Sequence, residues 1–187
     1  MSVFRLLITA LALVALGQAV HAQSDPVAYS KQLRYAKRYD EAASALRPVL
    51  AANSKHYLAN YNMGLIEEAR AQLLTGEAKR LKLVSAATWM ERALAVNAEQ
   101  SPREYTIFST TGYVYLQLKD IKNADRVLMQ GLQFANLLSP PSREKLYNNL
   151  GYLHTLKGER QSAIRYYELA KGAPGAEANA KRLGTVK

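Results

Sequence analysis

Residues that could carry enzymatic chemistry are few in this chain of 187 residues, and none is spaced as a catalytic site requires. There is no cysteine, which removes thiolate nucleophiles, disulfides and zinc–cysteine sites. The three histidines, His21, His56 and His154, are far apart and form no His-x-x-x-His pair. Neighbouring carboxylates such as Glu67 and Glu68 would point about 100° apart on a helix, so they cannot act as an acid–base pair. A glycine-rich phosphate loop and a Gly-x-Ser-x-Gly turn are also missing, and we predict a protein that is not an enzyme and uses neither a metal nor a cofactor.

The first 22 residues have the pattern of a secretory signal peptide. Arg5 precedes an apolar run over residues 6–16, and the segment ends at Ala22 with small residues at the positions that a signal peptidase recognises. An uncleaved membrane anchor is the alternative, but the apolar run is shorter than the roughly 20 residues that span a bilayer. We predict cleavage near Ala22, a periplasmic or secreted mature chain, and no membrane anchor after cleavage.

Residues 105–138 contain a pattern of small and large side chains that recurs elsewhere in the chain. In the two clearest copies a glycine precedes an alanine by twelve residues, at Gly112 and Ala124 and again at Gly151 and Ala163. The pattern positions of the four copies are Tyr29, Ser30, Leu33, Ala42 and Leu46; Asn60, Met63, Gly64, Ala86 and Met90; Phe108, Thr111, Gly112, Tyr115, Ala124 and Leu128; and Tyr147, Leu150, Gly151, His154, Ala163 and Tyr167. Small residues on each of two helices let the helices approach closely, so the pattern predicts helix hairpins repeated in series.

The order of these residues resembles the tetratricopeptide repeat, a unit of 34 residues built from two helices. Ser30 and Gly64 are 34 residues apart, as that unit requires. The resemblance covers residues 25–177 and implies an all-α fold, a right-handed α-solenoid of about four helix hairpins, the second one elongated. It divides the chain into a signal peptide at 1–22, a repeat domain at 23–177 with repeats at about 23–56, 57–100, 105–138 and 144–177, and a C-terminal capping segment or tail at 178–187.

Two spacings depart from the repeat length and predict local changes. Gly64 is followed by its alanine after 22 residues rather than twelve, so ten residues are inserted in the second hairpin. Their composition favours helix, and we expect Gly76 to mark the turn and each helix to be longer by about five residues. Gly112 and Gly151 are 39 residues apart, and we interpret the additional residues as a stiff loop at 139–142.

Glu67 lies at a position where the repeat places an inward-facing tyrosine. Burying a lone carboxylate is unfavourable, so we expect either a basic partner from the elongated hairpin or a shifted local register. A structural ion pair is the favoured interpretation. The candidate cations are Arg70, Lys79 and Arg80.

The resemblance also implies a binding surface, because the first helices of successive hairpins line a concave groove in this family. One row of groove positions falls on Asn62, Thr110 and Asn149, whose amides and hydroxyl suit the main chain of an extended peptide. A second row carries Lys31, Leu65, Tyr113 and Tyr152, and a third carries Tyr61, Ser109 and Asn148. The tyrosines add rigid apolar area with polar tips. In the alternative interpretation these residues only solvate the inner face.

Lysine and arginine exceed aspartate and glutamate by ten, and the excess is spread over residues 31–38, 79–82 and 181–187. In a secreted protein such charge indicates an acidic partner or anionic envelope components rather than nucleic acid. Solvated faces that keep the protein soluble are an equally good interpretation. We predict a non-catalytic scaffold or assembly factor of the bacterial cell envelope that binds a protein or peptide segment in the groove. The alternative function is a basic module that binds anionic polysaccharide or lipid head groups.

Overall fold

The computed structural model describes residues 25–96 and 104–185, and in these two ranges the regular elements are all helices. The prediction of an all-α chain is therefore confirmed. In chain order the helices are α1 (Pro26–Tyr35), α2 (Tyr39–Ala52), α3 (Tyr57–Ala71), α4 (Gly76–Ala95), α5 (Thr106–Gln117), α6 (Ile121–Leu132), α7 (Pro140–Leu156), α8 (Arg160–Leu169) and α9 (Ala176–Thr185), with a short 3-10 helix at Ala135–Leu137. The predicted signal peptide at residues 1–22 lies outside the described residues.

Consecutive helices lie against each other in pairs: α1 on α2, α3 on α4, α5 on α6, and α7 on α8. The second helix of each pair also contacts the first helix of the next pair, and α9 lies on α8. In addition, α1 contacts α3, and α5 contacts α7. First helices of neighbouring pairs therefore present side chains to common surfaces.

Three of the four pairs end their first helix in the same way. Lys37, Lys119 and Gly158 have φ values of 60°, 58° and 77°, in the left-handed region that commonly terminates a helix. The next residue in each turn donates its N–H to a carbonyl five positions earlier: Arg38 to Leu33 at 2.9 Å, Asp120 to Tyr115 at 3.0 Å, and Glu159 to His154 at 2.9 Å. These pairs thus share their backbone geometry as well as their sequence pattern.

Glycine is required where the paired helices approach most closely. A Cβ atom on Gly112 would lie 2.3 Å from Leu128 Cδ2, and one on Gly151 would lie 2.6 Å from Tyr167 Cδ1. The alanines of the pattern stand on the opposite helix of each pair and are fully buried. They are Ala42, Ala86, Ala124 and Ala163. The small residues therefore set the helix separation, as the sequence predicts.

The ten inserted residues are not shared equally between α3 and α4, so that part of the prediction is wrong. Seven helical residues follow Gly64 in α3, against five after Gly112 in α5. Ten helical residues precede Ala86 in α4, against three before Ala124 in α6. The elongation lies mainly at the start of α4, where Gly76 has a φ of 56°. The turn therefore lies at Gly76, as the sequence predicts, but helix-favouring residues flank it on both sides, so composition does not show how many inserted residues each helix receives.

The residues predicted to form a stiff loop at 139–142 instead start a helix. Ser139 is the N-terminal cap of α7, and Pro140 and Pro141 occupy its first turn. Proline is tolerated there because the first N–H groups of a helix have no intrahelical partner. Eleven helical residues precede Gly151 in α7, against six before Gly112 in α5, so the additional residues lengthen α7 at its N-terminus.

Glu67 is buried, with 5% of its surface exposed, and its carboxylate lies between two cations. One oxygen contacts the guanidinium of Arg70 on the same helix, and the other lies 2.9 Å from Lys82 Nζ on α4. Arg70 also contacts Asp40 of α2. The predicted ion pair is therefore confirmed for Arg70, and the cluster joins α2, α3 and α4.

The second cation of this cluster is not one of the predicted residues. Arg80 pairs with Glu77 one turn earlier on α4, at 2.6 Å, and the expected contact of Lys79 or Arg80 with Glu67 is wrong. Lys82 takes the position because it lies one turn before Ala86, on the face of α4 that packs against α3.

Residues 178–185 of the predicted C-terminal capping segment at 178–187 belong to α9, which begins earlier, at Ala176, and residues 186 and 187 lie outside the described residues. Ala176, Ala180 and Leu183 form a small apolar cluster with Tyr167 of α8. Arg160 Nε donates a hydrogen bond to the carbonyl of Leu183 at 2.6 Å, which fastens the end of the helix. Between residues 25 and 96, and again between 104 and 185, no helix has the length and apolar character needed to cross a membrane.

Candidate functional site

The ten residues predicted to form a binding surface lie on α1, α3, α5 and α7, which are the first helices of the four pairs. Nine of them line one of two pockets. The α1–α3 pocket contains Lys31, Tyr61, Asn62 and Leu65, and the α5–α7 pocket contains Ser109, Thr110, Tyr113, Asn148 and Asn149. Tyr152 is 40% exposed and lines neither pocket.

The α1–α3 pocket has a volume of about 560 Å³ and is rich in positive charge. Its remaining lining residues are Asp25, Val27, Ala28, Arg34, Tyr35, His56, Leu58 and Thr106. The Asp25 carboxylate caps α1 by accepting the N–H groups of Val27 and Ala28 at 3.1 Å and 2.9 Å. The Arg34 guanidinium lies 4.6 Å from the centre of the Tyr35 ring. Lys31 and Arg34 therefore lie in a pocket whose one carboxylate is already engaged.

The α5–α7 pocket has a volume of about 320 Å³ and carries one charge of each sign. Glu68 reaches it from α3 and Lys145 from α7, while Ala173 and Pro174, just before α9, complete its lining. Burial raises the pKa of the Tyr113 hydroxyl, and the charge of Glu68 raises it further. The hydroxyl consequently remains protonated at neutral pH and can donate a hydrogen bond.

Hydrogen bonds between helices hold the pocket residues in place. Asn149 Nδ2 on α7 donates to the carbonyl and the hydroxyl of Ser109 on α5, at 2.9 Å and 3.2 Å. The hydroxyl oxygens of Tyr61 on α3 and Thr110 on α5 are 3.2 Å apart. Because Tyr61 lines one pocket and Thr110 the other, this contact joins the two pockets.

The row of Asn62, Thr110 and Asn149 is less available to a partner than the sequence suggests. Asn62 is buried and its amide donates to the Leu58 carbonyl at 2.9 Å. Thr110 donates to the Thr106 carbonyl at 3.0 Å, and the Asn149 amide bonds Ser109. These donors contribute to the position of the helices. By contrast, Asn148 Oδ1 is buried and accepts no hydrogen bond from any described residue.

Besides Asp25, which caps α1, three charged residues of the pockets are missing from the sequence prediction: Arg34, Glu68 and Lys145. A signal for the first two was present, because residues three apart on a helix share a face. Arg34 follows Lys31 by three residues, and Glu68 follows Leu65 by the same interval. Extending each predicted row by one helical turn would have found them.

Together the two pockets present amide groups, tyrosine rings and unlike charges on adjoining helices. Such groups can contact the main chain and the side chains of a bound polypeptide. Over the described part of the chain, no three histidine, aspartate or glutamate side chains are grouped so as to hold a metal ion. Comparison with protein-family models and with curated proteins finds no match to this chain, so the resemblance to the tetratricopeptide repeat stays a prediction from its residues.

Proposed function

We propose that this chain is a non-catalytic binding protein of the bacterial cell envelope, which captures a segment of a partner protein in a groove formed by α1, α3, α5 and α7. Its architecture would be a right-handed α-solenoid of about four tetratricopeptide-like hairpins. The consecutive helix pairs, the shared turn geometry at Lys37, Lys119 and Gly158, and the close approach at the pattern glycines support this architecture.

The observation that carries the proposal is the convergence of distant residues on two adjoining pockets. Nine predicted residues from four helices line these pockets, and the Tyr61–Thr110 contact connects them. Two adjoining pockets on successive first helices suit an extended segment or a helix better than a compact small molecule. Binding in a groove is the usual function of stacked helical hairpins.

Within the groove, different residues would supply different contacts. Tyr113 is 41% exposed and offers an aromatic face together with a hydroxyl donor. Asn148 Oδ1 needs a donor, which a main-chain N–H of the partner can supply. Tyr152 extends the apolar area beyond the α5–α7 pocket. No cofactor is required for this mode of binding.

The alternative function, binding of anionic polysaccharide or lipid head groups by basic faces, has less support. Several cations of the basic runs are paired with carboxylates rather than free to attract anions. The pairs are Arg38 with Glu41, Arg80 with Glu77, and Lys82 with Glu67. We therefore favour a protein partner, such as a component of envelope assembly, and we place the mature chain in the periplasm or outside the cell after cleavage near Ala22.

A paired set of variants tests the proposed groove. The double variant Tyr113→Ala with Asn148→Ala removes one exposed ring and one unpartnered acceptor, and neither change breaks a hydrogen bond between helices. Met129→Ala is the matched control, because Met129 is exposed to a similar degree, 43%, on α6 outside both pockets. Crosslinking in the native envelope is expected to capture a partner with the wild type and the control and to fail with the double variant, while circular dichroism stays unchanged. Equal capture by all three proteins would exclude the groove.

A further inference from the structure

Among the arginines in residues 25–96 and 104–185, Arg34 has an unusual environment. Its Nε atom is buried and has no hydrogen-bond partner in the part of the chain that the structure describes. Elsewhere Arg38, Arg70, Arg80 and Arg126 each contact a carboxylate. A buried donor without an acceptor is unfavourable and rare in folded proteins. Arg34 therefore has unused binding capacity.

The pocket around Arg34 offers more hydrogen-bond donors than acceptors. Lys31 precedes Arg34 by one helical turn, and no ion pair within the described residues involves it. His56 Nδ1 accepts the N–H of Ala59 at 3.2 Å, so the neutral ring carries its proton on Nε2 and adds another donor to the lining. The carboxylate of Asp25 is held by the first N–H groups of α1. An anionic ligand can accept hydrogen bonds from these donors and balance the positive charge of Lys31 and Arg34.

We propose that the α1–α3 pocket binds the carboxylate of an aspartate or glutamate side chain of the partner segment, through Arg34 and Lys31. The planar guanidinium can hold both oxygens of a carboxylate, and the lysine adds a second positive charge. Val27, Leu58 and Leu65 line the same pocket and can contact the aliphatic part of the side chain. The inference rests on the proposed function, which it makes more specific: the partner segment is acidic where it meets α1 and α3.

An acidic peptide fits these residues better than a lipid or a polysaccharide. The cations lie inside a pocket of about 560 Å³ rather than on a flat face, and they share it with apolar side chains. Tyr61 of this pocket contacts Thr110 of the α5–α7 pocket, so the two pockets adjoin and neighbouring residues of one chain can occupy both. Anionic vesicles serve as the competing probe in the test.

The test is a selection of random nonapeptides on the mature chain, residues 23–187, with both peptide termini blocked so that only side chains carry charge. The selected peptides are expected to share an aspartate or glutamate at one position. Replacement of that residue by its amide should weaken binding roughly tenfold or more, because a charge-assisted contact is lost. Arg34→Gln should give a similar loss, and Arg34→Glu should select peptides with lysine or arginine at that position. Arg47→Gln, an exposed arginine on α2, is the control and should leave binding unchanged.

The outcomes separate this inference from the proposed function. Selected peptides without an acidic position, or an acidic preference that survives both Arg34→Gln and Lys31→Gln, would overturn the carboxylate site and leave groove binding intact. Failure to select any peptide would overturn both. Binding to phosphatidylglycerol vesicles that Arg34→Gln abolishes, without selection of acidic peptides, would assign the pocket to a lipid head group instead.

Discussion

The hydroxyl oxygens of Tyr61 and Thr110 lie 3.2 Å apart and connect α3 to α5, although α4 lies between these two helices in the sequence. Thr110 donates its only hydroxyl proton to the Thr106 carbonyl at 3.0 Å, so the Tyr61 hydroxyl must donate to Thr110. The contact matters because it lies where the α1–α3 pocket meets the α5–α7 pocket. It therefore fixes the relative position of the two halves of the proposed groove.

Removal of the Tyr61 hydroxyl is expected to destabilise the fold modestly. Tyr61→Phe leaves the ring in place and deletes one half-buried hydrogen bond, which contributes about 0.5–1.5 kcal/mol to the free energy of unfolding. In a double-mutant cycle, Tyr61→Phe and Thr110→Ala should show a coupling energy of similar size. Urea denaturation of the four proteins measures it. Strict additivity of the two changes would show that the two hydroxyls do not interact.

Substitution of the glycine at the closest helix approach is expected to be more damaging. Gly112→Ala would place a methyl group 2.3 Å from Leu128 Cδ2, which forces the two helices of the pair apart and should lower the free energy of unfolding by roughly 1–3 kcal/mol. Gly184→Ala is the control, because a Cβ there meets nothing within 4 Å and alanine favours helix. Thermal unfolding of both variants should show a loss for Gly112→Ala alone. An unchanged melting temperature for Gly112→Ala would mean that this glycine does not set the helix separation.

The buried carboxylate of Glu67 is expected to stabilise the fold through its contacts with Arg70 and Lys82. Glu67→Gln keeps the shape of the side chain but removes the negative charge between Arg70 and Lys82, and among the described residues only Arg70 retains a carboxylate partner, Asp40, so we expect a loss of roughly 1–3 kcal/mol in the free energy of unfolding. Arg70 and Lys82 are partly exposed, which moderates the effect. Glu77→Gln changes an exposed pair on α4 and should have little effect. Equal losses for the two variants in urea denaturation would show that the buried carboxylate of Glu67 stabilises the fold no more than the exposed carboxylate of Glu77.

The stability of the chain should fall at acid pH partly through Glu159. A hydrogen bond with His154 lowers the pKa of Glu159 in the folded chain, and Lys157 lowers it further. A carboxyl group with a depressed folded pKa stabilises the fold above its unfolded pKa of about 4.3, and this contribution is lost as the pH falls through the folded value. Glu159→Gln should therefore reduce the pH dependence of the melting temperature between about pH 5 and pH 3. Glu168→Gln, at an exposed site on α8, is the control. A melting temperature that depends more steeply on pH in Glu159→Gln than in the wild type would contradict a lowered pKa of Glu159 in the folded chain.

Much of the fold follows from short-range patterns in the sequence. The spacing of Gly112 to Ala124 locates two packed helices because only small residues permit their close approach. The turn at Gly76 was also predictable, but helix-forming residues flank it on both sides, so the sequence does not show where α3 ends and how much of the insertion belongs to α4. Nor does it distinguish a loop at residues 139–142 from the first turn of a helix, because proline is suited to either. Such boundaries depend on tertiary contacts.

The candidate site was predictable in position but not in detail. Its residues occur at regular intervals on the first helices, which is why nine of ten reach the pockets. Which side chains are free depends on partners far away in sequence. The amide of Asn149 is occupied by Ser109, forty positions earlier. By contrast, Asn148 Oδ1 has no donor and Arg34 Nε has no acceptor among the described residues. Sequence alone does not show that difference.

The most direct measurement is site-specific photo-crosslinking in the native envelope, with benzoyl-phenylalanine placed at single exposed positions. Replacement of Tyr113 or Tyr152 puts the probe on the proposed groove, whereas replacement of Met129 or Leu169, exposed to a similar degree, puts it elsewhere. The proposed function predicts a discrete adduct of larger mass from the first two positions and none from the last two. Adducts from Met129 or Leu169 alone, or at equal yield from all four positions, would contradict it.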